Sequence, residues 1–83
     1  FPYIISFHTA DIPGTTGFIT TAIGAQNINI ETVSHNRHTG EKAMFSVVTM
    51  PTTLGQIEAS IAEINRAKPE MLLSEPKIMP ILH

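Results

Sequence analysis

The sequence has no cysteine and only five lysines and arginines among its 83 residues. Each shortage removes a class of function. Without thiols there is no disulfide, no thiolate zinc site and no Cys-x-x-Cys redox pair. Such a chain fits a reducing compartment, and a cytoplasmic location is expected. The formal net charge is −2. A phosphate backbone is bound through counterion release by a basic stripe, and none is present, so no nucleic-acid partner is expected. No apolar run approaches the roughly 20 residues of a membrane-spanning helix, so no membrane partner is expected either. The start also lacks the basic stretch and apolar core of a secretion signal. A chain of this length buries roughly 60–65 % of its unfolded surface. That core is marginal, which points to an oligomer or a covalently attached neighbour. The chain opens at Phe1-Pro2 and enters a strand almost at once. It is expected to be one domain, residues 1–83, cut from a longer protein.

What is present alternates between two periods. Tyr3 to His8 reads as a first strand, with Tyr3, Ile5 and Phe7 on one face and Ile4, Ser6 and His8 on the other. From Thr15 to about Gly24, Phe18, Ile19, Ala22 and Ile23 recur on one helical face. Gly24 is the expected left-handed residue closing that helix. Asn27 to Ser34 reads as a second strand, Ile28 and Ile30 facing one way, and Asn29, Glu31 and Val33 the other. The polar side suits a sheet edge. His35 to Gly40 is a hairpin connection. Lys42 to Met50 is a third strand with Ala43, Phe45 and Val47 on its core face. Thr53-Leu54-Gly55-Gln56 has the form of a capping box, and Leu54, Ile57, Ile61 and Ile64 continue as an amphipathic helix to about Lys68. Pro69 stops it. Lys77 to Leu82 is a short last strand, placed on an edge because Pro80 lacks a ladder donor.

The order strand, helix, strand, strand, helix, strand predicts an α+β, ferredoxin-like βαββαβ fold. Two right-handed split βαβ units give a four-stranded antiparallel sheet, order 4-1-3-2, with both helices on one face. The other face would carry Ile4, Ser6, His8, Met44, Ser46, Val48 and Met50. That is apolar enough to expect a partner surface there or along an edge strand.

The candidate site is the corner at Thr9-Ala10-Asp11-Ile12-Pro13-Gly14-Thr15-Thr16, where the first strand meets the first helix. Pro13 pre-sets φ for a turn or a first helical position. Gly14 allows close approach or positive φ. The first N–H groups of the helix have no partner inside it. Such a corner suits an anion, here a small carboxylate.

Asp11-Ile12-Pro13-Gly14, followed by Gly24-Ala25-Gln26-Asn27-Ile28, resembles the ACT domain. That family reads as a strand, Asp-x-Pro-Gly, an amphipathic helix and a Gly-x-Asn-Ile second strand. One extra residue separates Gly24 from Asn27, and Thr16 stands where an aliphatic residue is usual. The resemblance implies a non-catalytic regulatory module that binds a small amino acid such as threonine, in a homodimer or higher homo-oligomer. It implies a site made of Asp11, Pro13, Gly14 and Thr15 from one copy and Asn27 and Ile28 from another. The α-carboxylate would lie on the N–H groups near Thr15 and Thr16, and the ammonium on Asp11 or the Asn27 side-chain oxygen. The run Asn27 to His35 and the third strand most resemble the C-terminal ACT domain of homoserine dehydrogenases, which serve threonine and methionine biosynthesis. No cofactor is then expected in this domain, and NAD(P) is expected in the parent catalytic domain. The alternatives are an ACT module used only for oligomer assembly, or the tail of another enzyme such as phosphoglycerate dehydrogenase.

Other constellations carry less. His35-x-x-His38 lies in a hairpin without a completing carboxylate or thiol, so no metal site is expected. No nucleophile, base and orienting group stand together, so no catalytic residue is expected. The methionines at 44, 50, 71 and 79 read as adaptable core or interface side chains.

Overall fold

The computed structural model describes residues 1–10, 14–35 and 42–82. Its elements are β1 (Tyr3–Ala10), α1 (Thr15–Gly24), β2 (Ile30–His35), β3 (Lys42–Thr49), α2 (Leu54–Ala67) and β4 (Lys77–Pro80). The strands form one antiparallel sheet in the order β2-β3-β1-β4. This is the expected βαββαβ fold, with Pro80 on an edge strand. The hairpin expected after His35 lies outside the described residues.

Alternation builds the core. Ile5 and Phe7 on β1 and Phe45 and Val47 on β3 are buried on one sheet face. They meet Ile19, Ala22 and Ile23 of α1 and Ile57 and Ile64 of α2. The phenyl rings of Phe7 and Phe45, directly opposite in register, stack with centroids 5.2 Å apart. The opposite sheet face is more open: Met44, Met50 and Met79 are exposed, and Ile4 and Val48 are half-buried.

Two expected faces shift. On α2 the buried stripe is Ile57, Ser60 and Ile64, with Ile61 half-buried and Leu54 exposed in the first turn. Ser60 tolerates burial because its hydroxyl donates to the Ile57 carbonyl at 2.7 Å. On β2 the register shifts between Ile30 and Thr32. This bulge absorbs one residue, so Val33 pairs with Val47 and packs on the core beside Ile30. Val33 therefore faces with Ile30, contrary to strict alternation.

Helix α2 begins as the sequence predicts. Thr53 accepts from the Gln56 N–H at 3.2 Å, and the Gln56 side chain accepts from the Thr53 N–H at 3.4 Å. The Gln56 amide nitrogen also donates to the Gln26 carbonyl at 2.9 Å, tying the start of α2 to the turn after α1. Gln56→Ala removes the side-chain half of the capping box and the tether, leaves the Thr53 bond to the backbone N–H, and is expected to cost about 1–2 kcal/mol. In a domain of this size each kcal/mol moves Tm by roughly 4–8 °C. Thermal unfolding of Gln56→Ala beside Gln56→Glu separates the two effects. The glutamate keeps the acceptor of the cap but cannot donate to Gln26. An unchanged Tm in Gln56→Ala would contradict both roles.

Candidate functional site

The candidate corner opens α1. Gly14 takes a left-handed conformation, φ 84° and ψ −1°, and as the N-cap residue makes no side-chain cap hydrogen bond. Its carbonyl accepts from the Phe18 N–H at 2.9 Å, the first intrahelical bond. A Cβ at Gly14 would meet no atom within 4 Å, so glycine is favoured here by φ and not by crowding. The helix itself leaves its first-turn N–H groups unused.

Thr15 is turned inward. It is buried, and its hydroxyl donates to the Ala10 carbonyl at 3.5 Å, linking the end of β1 to the start of α1. Its side chain is thus committed to the fold. Thr16 is half-buried, and its carbonyl accepts from the Thr20 hydroxyl at 2.9 Å. Asp11 and Pro13 lie outside the described residues.

Beside Gly14 is a cavity of about 410 Å³, a size within the usual range for small-molecule sites. Phe18 and Met71 provide apolar wall, and Lys68 and Glu70 provide charge of both signs. The Lys68 ammonium lies 5.9 Å from the Phe18 ring centroid, over its face. No sequence motif marks 68–73 as part of a site. The apolar triplet Met71-Leu72-Leu73, just after the helix-stopping Pro69, was the available signal. This segment is held on β1: the Ala10 N–H donates to the Met71 carbonyl at 3.0 Å, and the Leu73 N–H to the His8 carbonyl at 2.8 Å.

The second motif sits at the far end of α1. Successive N–H groups of Ala25, Gln26 and Asn27 donate to Thr21, Ile23 and Gly24 carbonyls, winding the helix into a turn. The left-handed residue is Asn27, at φ 62°, and not Gly24, which remains helical. Asparagine is one of the few residues that enters this region readily. The turn also delays β2, which begins at Ile30 and not at Asn27. The Asn27 side chain is exposed, whereas Ile28 is buried in the core and can offer a ligand only its backbone. Helix α1 has 10 residues, a rise of about 15 Å at 1.5 Å per residue. Gly14 and Asn27 of one chain are therefore held apart, and one ligand of amino-acid size cannot bridge them.

Among the remaining candidates, His8 is half-buried on the open sheet face. His38 lies outside the described residues. Among the described residues no three His, Cys, Asp or Glu side chains gather as a metal site would need, and no helix is long and apolar enough to cross a membrane.

Comparison with known proteins gives a family match and a set of shared folds. The family model for the ACT domain matches residues 3–66. No curated protein matches. A homoserine dehydrogenase from Thiobacillus denitrificans superposes with a TM-score of 0.76 at 19 % identity, over 94 % of this chain and 16 % of that one. A formyltetrahydrofolate deformylase from Pseudomonas putida gives 0.75 at 14 % identity, over 100 % of this chain and 30 % of that one. The ACT domain from GTP pyrophosphokinase of Chlorobium tepidum gives 0.71 at 16 % identity, over 95 % and 97 %. The chain thus spans less than a third of the length of the first two proteins, and at these identities the likeness is one of fold.

Proposed function

The chain belongs to the ACT domain family, and on that premise we propose that it is a regulatory domain binding a small α-amino acid between two copies of itself. The observation that carries this reading is the separation of Gly14 and Asn27 along α1, roughly 15 Å at the standard rise. Each copy supplies a helix start for a carboxylate at one end and an exposed asparagine side chain at the other. A second copy brings unlike ends together. The carboxylate lies on the N–H groups following Gly14, where the helix dipole favours an anion. The Asn27 side-chain oxygen, with Asp11, accepts from the ammonium. Pro13 is assigned to the same site, and Thr15 and Ile28 contribute backbone. A ligand so placed favours whichever arrangement of the two copies closes on it, and this arrangement is what an attached enzyme senses.

The proposed parent is a homoserine dehydrogenase of threonine and methionine biosynthesis, in the cytoplasm, with NAD(P) on its catalytic part. The resemblance of the run Asn27 to His35 supports it, as does the fold shared with a solved enzyme of that name. A Gly-x-Gly-x-x-Gly fingerprint in the adjoining sequence is the expected companion. A second reading, an ACT module used only for assembly, is favoured by the exposed Met44, Met50 and Met79 on the open sheet face.

Calorimetric titration of the purified protein with threonine and a panel of other amino acids separates the two. Saturable heat at or below millimolar concentration, from a dimer or larger oligomer in sedimentation, is expected. An oligomer that binds none of them ends the regulatory reading and leaves assembly.

A further inference from the structure

Among the described residues that wall the cavity beside Gly14, most lie outside the two family motifs. They come from the C-terminal end of α2 and the turn after it: Lys68, Glu70 and Met71, facing Phe18 of α1. Their placement is fixed. The Lys68 N–H donates to the Ile64 carbonyl at 2.8 Å, and the Met71 N–H to the Lys68 carbonyl at 3.0 Å. Leu72 bridges to Thr9, so the turn is clamped onto the last residues of β1. The wall and the end of β1 therefore form one unit.

The chemistry of the wall is mixed in a particular way. Met71 is buried and Phe18 half-buried, giving an apolar floor. Lys68 and Glu70 are exposed on the rim. Among the described residues the ion pair is Glu63 with Arg66, and neither Lys68 nor Glu70 joins one. A rim with one cation and one anion suits a zwitterion, and an apolar floor suits a side chain without a hydroxyl. A hydroxyl placed on such a floor loses its water without gaining a partner.

We propose that this wall selects the ligand: Lys68 joins the helix start at Gly14 in holding the α-carboxylate, Glu70 joins the asparagine from the other copy in holding the ammonium, and the Phe18–Met71 floor takes an aliphatic or thioether side chain. The proposal rests on the amino-acid reading above and narrows it from small amino acids in general to apolar ones. It also makes the segment 68–71 a specificity-determining part of the site.

The test is calorimetric titration of the purified protein and of Lys68→Met and Glu70→Gln with L-methionine, L-leucine, L-threonine and L-methionine methyl ester. Both positions are exposed, so the variants are expected to melt with the wild type. Lys68→Met also keeps an apolar stem over Phe18. Methionine or leucine is expected to bind at least fivefold more tightly than threonine. Each variant is expected to weaken methionine at least fivefold. Lys68→Met is expected to leave the affinity for the ester unchanged, because the ester has no carboxylate to lose. Threonine binding more tightly than methionine and leucine overturns the proposal, as do variants that bind methionine like the wild type. In those cases the amino-acid reading stands. Failure of all four ligands with the wild-type protein overturns this assignment of ligand class, and failure of the whole amino-acid panel removes the regulatory reading as well.

Discussion

Replacing Phe45 by alanine is expected to remove most of the stability of the domain. Phe45 is 2 % exposed and lies on β3, which pairs with both β1 and β2. Its ring stacks on Phe7 at 5.2 Å with an interplanar angle of 23°. Truncating a buried phenylalanine costs about 3–5 kcal/mol, through lost transfer energy and the cavity left behind. The stacked pair adds roughly 0.5–1.5 kcal/mol beyond its area. At about 0.05–0.15 kcal/mol per residue, the whole domain has on the order of 4–12 kcal/mol to lose. Urea denaturation is expected to show a midpoint shifted far toward zero denaturant, with Phe45→Leu intermediate. A Phe45→Ala protein within about 1 kcal/mol of the wild type would mean that the core is centred elsewhere.

The second large effect separates backbone from ligand at Asn27. Its φ of 62° is expensive for alanine, so Asn27→Ala is expected to lose about 1–2 kcal/mol of stability whatever its side chain binds. Asn27→Gly accepts the same φ and is expected to fold within a few tenths of a kcal/mol of the wild type. If the side-chain oxygen holds the ligand ammonium, Asn27→Gly nonetheless loses at least tenfold in amino-acid affinity, about 1.4 kcal/mol. Denaturation and calorimetry on the same two variants give both numbers. Unchanged affinity in Asn27→Gly would explain the asparagine entirely by its turn. Alanine at this position alone gives an ambiguous answer, because it changes the backbone and removes the side chain together.

The sheet and both helices were legible because period-2 and period-3.6 patterns set side-chain directions directly. The order of the strands followed from the handedness of the crossovers and from Pro80. Three local features were not legible, each for its own reason. Helix α1 ends at Gly24 as expected, but the left-handed residue is Asn27 in the turn that follows, because asparagine can also take positive φ. Val33 broke alternation, and a single extra residue in β2 turns it back to the core. Leu54 lost its place in the buried stripe to Ser60, because a serine that returns its hydroxyl to the helix backbone behaves as a small residue at a close contact. Of the site, Gly14 was readable as a special backbone position, whereas Asn27 read as the start of a strand and its positive φ was not visible. The wall from Lys68 to Met71 was not visible either, because its position depends on hydrogen bonds to β1, some sixty residues earlier in the chain.

The bulge in β2 has a consequence for crowded solution. β2 lies at the margin of the sheet, and among the described residues one side of its backbone has no strand beside it. A regular margin of this kind is a template on which identical chains can add without limit, each in any of several offsets. The irregularity between Ile30 and Thr32 interrupts that template within a strand of six residues. An incoming strand meets two short stretches out of phase, and sliding by a residue moves its own donors off the acceptors of one or the other. An edge interrupted in this way is a poorer template for continuous strand addition than a regular one.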